Sequence, residues 1–457
     1  MRPLAVIDVV GLTPALVGPD TPNLKRLSEE GFQAELGTVL PALTCPAQAT
    51  MLTGLSPREH GVVGNGWYFR ELAEVWLWRQ SNYLLQGEKV WERCRARWPR
   101  FTCAKLFWWY NMYSTADYSV TPRPVYLADG RKLTGLYTQP PELREDLEAA
   151  LGPFPLFDFW GPRAGIRSSS WIGRCAARVI ERHRPDLTLV YLPHLDYDLQ
   201  RFGPDHPAIP KALRAVDQVA GKLIDLCRLR GMEVIVLSEY GITPVSDSVS
   251  INRLLRREGF LRVHRAHRWE LLDAGASRAF AVSDHQVAHV YVRDPADIPT
   301  VRQALLSSDG IEEVLDRAAQ AEVGLDHPRS GELVALARRD RWFDYYYWLD
   351  EDRAPDFART VDIHRKPGYD PCELFLDPSR PLVRARIAGK LLRKALGFRY
   401  LMDVIPLDPR LVRGSHGRLP QDPRQGPVLI SSSPRERTSR LEMAEVPRLI
   451  EETIFGG

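Results

Sequence analysis

Four short apolar runs limit what this chain can become: Leu4–Val10, Leu187–Leu192, Met232–Leu237 and Ala288–Val292. Each is rich in Val, Ile or Leu, and none alternates with polar residues. Such runs suit strands covered on both faces, as in a parallel sheet. Helical segments lie between them: TPNLKRLSEEGF (21–32), WIGRCAARVIERH (171–183) and AIPKALRAVDQVAGKLIDLCRLRG (208–231). Pro22 opens the first, and Gly31 and Gly231 close the first and third. This alternation predicts an α/β fold built on a doubly wound, mostly parallel sheet.

Two stretches break the pattern. Residues 65–165 are rich in Trp, Tyr and Pro, as in LFWWYNMY (106–113), and read as an insertion. Residues 256–404, with RWFDYYYWLDED (341–352), read as a cap, which leaves 1–255 and 405–457 as the core. The aromatic clusters serve packing or line a substrate cleft. The run 380–401 is basic and amphipathic. It is expected to be a surface helix packed on the core, with a membrane-surface or partner-docking helix as the alternative.

Composition narrows the partners. With 61 basic and 58 acidic residues the net charge is +3, which gives no argument for nucleic acid. Six scattered cysteines without a CxxC pair argue against a disulfide framework and a thiolate zinc knuckle. No stretch of about 18 apolar residues is present, so no transmembrane span is expected. The N-terminus lacks the pattern of a secretory leader, and the expected location is cytoplasmic.

Ligands bind beyond the carboxyl ends of parallel strands. There this chain carries Asp8, then His194, Asp196, Asp198 and Gln200, then Glu239 and Tyr240. Three carboxylates converging on one sheet edge would repel one another. Divalent cations are the usual remedy; helix capping or Arg pairing is the plainer alternative. In VLPALTCPAQATMLTG (39–54), Thr44 opens a helical segment. Its hydroxyl there either faces a phosphate or caps the helix. His194 is a candidate outer partner for such a site. In VDIHRKPGYDPCELF (361–375), Asp362 and His364 are possible additional metal ligands, and Arg365 and Lys366 candidate substrate-binding cations. The alternative there is a salt-bridged turn. Asp284, His285 and His289 are expected to serve packing.

Together these residues resemble the type I phosphodiesterase/nucleotide pyrophosphatase family of the alkaline phosphatase superfamily. Asp8, LTCPAQATMLTG (43–54), DYDLQRFGP (196–204), EYG (239–241) and GSHG (414–417) follow the family's motifs in order, and PREHGVVGNGWY (57–68) is similar to its segment after the nucleophile helix. The resemblance covers about residues 1–255 and 405–435 and implies an alkaline phosphatase-like core. It implies a small phosphorylated substrate and hydrolysis of phosphodiesters or pyrophosphates, or of related phosphonates or sulfates. Thr44 would form a covalent phospho-threonine intermediate. It also implies two divalent metals, zinc in the family. Asp8, Thr44, Glu239 and Tyr240 would hold one, and Asp196, Gln200 and His416 the other. This chain departs at Tyr240 and Gln200, where the family has His, and at Ala47, where it has Asn. The oxygen-rich set left favours manganese, magnesium or calcium, and one ion or two. The alternatives are a degenerate member that binds a phosphorylated ligand or a partner without turnover, and a phosphoryl transferase.

Overall fold

The structure is a computed structural model that describes residues 1–128, 132–433 and 438–456. A central sheet is built from β1 (Leu4–Val9), β2 (Phe32–Gly37), β3 (Cys103–Leu106), β4 (Tyr118–Pro122), β5 (Leu136–Gln139), β6 (Leu187–Leu192) and β7 (Glu233–Leu237). The cap strands β8 (Ala279–Asp284), β9 (Val287–Val292), β10 (Ile311–Leu315) and β11 (Leu333–Ala337) follow, and β12 (Val428–Ser431) and β13 (Arg440–Glu442) return to the central sheet. Its order is β13-β2-β12-β7-β1-β6-β3-β4-β5.

The middle of this sheet, β7-β1-β6-β3-β4, is parallel, as the apolar runs predict. β12 runs antiparallel between β7 and β2, and β5 runs antiparallel at one edge. Every residue of β1 and β6 is buried, which explains their lack of alternation.

Two findings differ from the sequence reading. Ala288–Val292 lies in β9, which belongs to a separate antiparallel sheet, β8-β9-β11-β10, with its own hydrophobic core. That strand is also buried along its whole length, and burial on both faces looks the same in either strand direction. Second, β3, β4 and β5 all come from the 65–165 stretch, so part of the expected insertion forms one side of the central sheet. These strands are only four or five residues long, and aromatics and prolines flank them.

The helices that position the site are α1 (Pro22–Glu30), α2 (Thr44–Thr53), α3 (Ile166–His183), α4 (His194–Phe202) and α5 (Ile209–Leu229). α5 buries Leu213, Val216, Ala220, Leu223, Ile224 and Cys227, spaced along one face at helical period. α2 has all ten residues buried and ends at Gly54, whose φ of 76° is the left-handed cap that a side chain would strain. All six cysteines are buried and unpaired. No helix among the described residues is long and apolar enough to cross a membrane.

Candidate active site

Strand register assembles the first half of the site. Asp8 on β1 is level with Leu237 on β7 and Tyr191 on β6. Glu239 therefore lies just past the same sheet edge, and β6 leads over Pro193 into α4, which carries Asp196 and Gln200. Gly241 follows Glu239 and Tyr240 where the backbone of Gln425 approaches; a Cβ there would lie 1.7 Å from that carbonyl oxygen. The loop after β7 then pairs Thr243 with Ser415, which brings His416 beside Tyr240. The two rings stack with centroids 3.5 Å apart.

Thr44 is the first residue of α2, so the positive end of that helix faces the cluster. Its hydroxyl lies 3.2 Å from the Tyr240 hydroxyl. Tyr240 in turn donates to Asp196 Oδ1 at 3.2 Å. With the Tyr240 proton committed to the carboxylate, Thr44 is the donor in the first bond.

Gln48 stands one turn below Thr44 and was the residue the sequence hid. Its Oε1 accepts from the Trp109 backbone N–H at 2.7 Å, which fixes the orientation of the amide. Its Nε2 must then face the carboxylates, donating to Glu239 Oε1 at 2.6 Å and Asp8 Oδ2 at 3.3 Å. The available signal was its position four residues after Thr44, on the same helix face. Gln200 behaves similarly: Nε2 donates to Asp196 Oδ2 at 2.7 Å, and Oε1 accepts from Tyr369 at 2.9 Å. Tyr369 comes from the cap region and carried no sequence signal.

The electrostatics follow from burial. Desolvation pushes the Asp196 carboxyl up to about 7. Burial first, and then the charge of Glu239, hold Asp8 well above the usual carboxylate range. Glu239 is raised too, chiefly by burial. His416 Nδ1 donates to the Ala42 carbonyl at 2.8 Å, so Nε2 carries the lone pair, and burial lowers the ring to about 3 and keeps it neutral.

Buried atoms without a partner show where a cation fits. Among the described residues Asp8 Oδ1, Glu239 Oε2 and His416 Nε2 have none, whereas both oxygens of Asp196 already have donors. One hard divalent cation fits beside Asp8, Glu239 and Thr44. At Asp196, by contrast, Tyr240 and Gln200 each already supply a hydrogen bond. Among the described residues no three His, Cys, Asp or Glu side chains gather as a metal cluster.

The other expected residues lie differently. Arg365 pairs with Asp362 at 2.6 Å and Asp356 at 3.4 Å. Lys366 is buried between Asp370 and Glu373, each at 2.7 Å. His364 is half-buried, with Nδ1 unpartnered. None of these four hydrogen-bonds to the Thr44 cluster. Asp198 pairs with Arg201 at 3.0 Å. His194 Nδ1 is buried without a partner, and burial lowers its ring to about 4. Asp284 accepts two bonds from Asn65, whose Oδ1 takes the Cys45 backbone N–H at 3.0 Å, tying the cap to the start of α2. His285, expected to serve packing, lies between Tyr369 and His416, with ring centroids 3.9 and 3.7 Å away. A cavity of about 840 Å³ lined by Arg268, Arg353 and Arg359 lies in the cap and includes none of the Thr44 cluster.

The order of these motifs has a counterpart across most of the chain. A profile of the type I phosphodiesterase/nucleotide pyrophosphatase family matches residues 4–370. The chain belongs to this family. An uncharacterized pyrophosphatase/phosphodiesterase of Schizosaccharomyces pombe is 27% identical over 265 residues, covering 55% of this chain and 46% of the relative. Venom phosphodiesterase of Naja atra is 23% identical over 51% of this chain and 24% of its own length. The chain thus spans less than half the length of these curated relatives. Among solved structures, phosphonoacetate hydrolase of Sinorhizobium meliloti with phosphonoformate superposes with a TM-score of 0.62 at 16% identity, covering 99% of this chain and 96% of the other. Murine ectonucleotide pyrophosphatase/phosphodiesterase 5, as an inactive variant with AMP, gives 0.60 at 13% identity, covering 99% and 95%. At these identities the likeness establishes the shared α/β fold.

Proposed function

We propose that this protein hydrolyses a small phosphodiester or pyrophosphate, or a related phosphonate or sulfate, with Thr44 as nucleophile. The observation that carries this reading is the chain of hydrogen bonds from Thr44 through Tyr240 to Asp196. Thr44 Oγ1 attacks phosphorus and forms a P–O bond as the bond to the leaving alkoxide or phosphate breaks. The Thr44 proton moves to the Tyr240 oxygen while Tyr240 passes its own proton to Asp196. Water then attacks the phospho-threonine and the P–Oγ1 bond breaks; a water proton leaves the site with the product, Thr44 takes a proton back from Tyr240, and Tyr240 takes one back from Asp196. An Asp196 carboxyl near 7 is suited to this exchange at neutral pH. The α2 N-terminus favours the anionic phosphoryl group.

A divalent cation, held by Asp8 and Glu239 beside Thr44, would acidify the hydroxyl and offset phosphoryl charge. Manganese, magnesium and calcium suit these oxygen donors better than zinc. The six unpaired cysteines agree with a reducing cytoplasm.

A second reading is binding of a phosphorylated ligand without turnover. The pinned Gln48 amide favours it, because a hydrogen-bond donor already faces Asp8 and Glu239. Hydrolysis of an aryl phosphodiester by wild type and Thr44→Ala, across magnesium, calcium, manganese and zinc, separates the two. Turnover that needs Thr44 supports the hydrolase. Turnover that survives in Thr44→Ala overturns its nucleophile, and ligand binding without any turnover supports the second reading.

A further inference from the structure

Helix α6 (Val383–Ala395) turns part of its apolar surface away from the protein. A surface helix normally buries its leucines and turns its lysines outward. In α6 the side toward the protein carries Val383, Ile387, Lys390 and Lys394, the members that are only partly exposed. Val383 and Ile387 touch a small apolar cluster around Trp342 and Ile405. Lys390 bonds Asp403 and the Leu401 carbonyl, both at 2.5 Å. No residue of the helix is fully buried.

The leucines turn outward instead. Leu392 is 61% exposed, Leu396 64% and Phe398 61%. Single exposed leucines need no explanation, but a contiguous set on one helix and its C-terminal turn does. The flanking charge is of one sign: residues 378–402 contain seven Arg or Lys and no Asp or Glu. Among the described residues no carboxylate pairs with Arg384, Arg393 or Arg399.

We propose that α6 docks this protein on an anionic lipid surface. Leu392, Leu396 and Phe398 enter the headgroup boundary, and Arg384, Arg393 and Arg399 meet lipid phosphates. Apolar area and basic charge act together in such helices, and each basic residue near an anionic surface adds to the attraction. A second copy of the chain would cover the leucines equally well. It would also bring two sets of unpaired arginines together, and this charge decides for the lipid.

The test is sedimentation of the full chain with phosphatidylglycerol/phosphatidylcholine vesicles and with phosphatidylcholine vesicles alone. Wild type is expected to sediment with the anionic vesicles only. Leu392→Asp/Leu396→Asp should abolish binding, and Arg384→Glu/Arg393→Glu should weaken it at least about tenfold. All four positions are exposed, so an unchanged thermal midpoint serves as the control for folding. Wild type that stays in solution with anionic vesicles overturns the proposal. So does binding that the leucine variant leaves intact. Self-association lost in the leucine variant, without vesicle binding, would assign the face to a second copy.

Discussion

The two halves of the candidate active site keep their carboxylates in different ways. Asp196 has a donor on each oxygen, Tyr240 on one and Gln200 on the other. Asp8 and Glu239 share the single amide of Gln48, and each keeps one buried oxygen with no partner. A buried carboxylate without compensation is costly, and a cation or a proton is the remedy. Two positions where the resemblance implies His, one from each expected metal site, are Tyr240 and Gln200 here, and both bond to Asp196, an exchange of metal ligands for hydrogen bonds. At Asp8 and Glu239 no such exchange is complete, so that half retains its demand for positive charge. Under the proposed function this difference would assign proton handling to Asp196 and cation handling to Asp8 and Glu239.

The strongest challenge to this division is Thr44→Ala, which removes the group between the halves. Turnover should fall at least about a thousandfold, while the thermal shift produced by a divalent cation persists in reduced form. Steady-state kinetics and thermal unfolding of one preparation read both. Next in size is Tyr240→Phe, which breaks the link from Thr44 to Asp196. We expect about a hundredfold loss of kcat with cation response retained; unchanged kcat would remove Tyr240 from the mechanism. Glu239→Gln attacks the other half. It should erase the thermal shift with manganese or magnesium, worth about 2–3 kcal/mol at saturating ion. Without cation it should raise stability by about 1 kcal/mol, since a desolvated charge is gone. A variant that still responds to metal would place the ion elsewhere.

Much of this division was legible in the sequence, because it rests on strand ends. Apolar runs that stop at Asp8, before Asp196 and before Glu239 reveal their register without any tertiary knowledge. The place of Thr44 at a helix start was legible too, and the structure puts it at the first residue of α2. Gln48 was not, since its orientation depends on the backbone N–H of Trp109, which β3 and its following loop deliver from 61 residues away. Tyr369 and His285 were hidden for the same reason: cap loops bring them against Gln200 and His416. The cations of 361–366 illustrate the converse. Their spacing left a metal or phosphate site and a salt-bridged turn both open, and Asp356, Asp362, Asp370 and Glu373 pair with Arg365 and Lys366 as in the second. The outward turn of Leu392 and Leu396 in α6 could not be read from periodicity alone, which shows that a helix has two faces but not which one meets the protein.

The smallest effect tests the proton-handling half most directly. Turnover through Tyr240 needs an ionised Asp196, so the rate should be present above about pH 7 and fall as pH drops through that value. The Gln200 amide donates to the ionised carboxylate and so lowers its pKa against the upward push of burial. In Gln200→Leu that support is lost, and the acidic limb of the kcat profile should move up by about one pH unit. The same variant should alter stability with a definite sign. Asp196 holds its proton more tightly folded than unfolded, where 3.8 is the ordinary value. Folded protein therefore loses stability as pH rises from about 4 towards 7, and the variant should lose it over a window reaching higher. A limb that stays in place in Gln200→Leu would show that Asp196 does not set it. His416 is held neutral by burial and bonded to Ala42, so it does not titrate in this range. The limb would then have to be traced to the Asp8–Glu239 pair, and the separation of the two halves would fail.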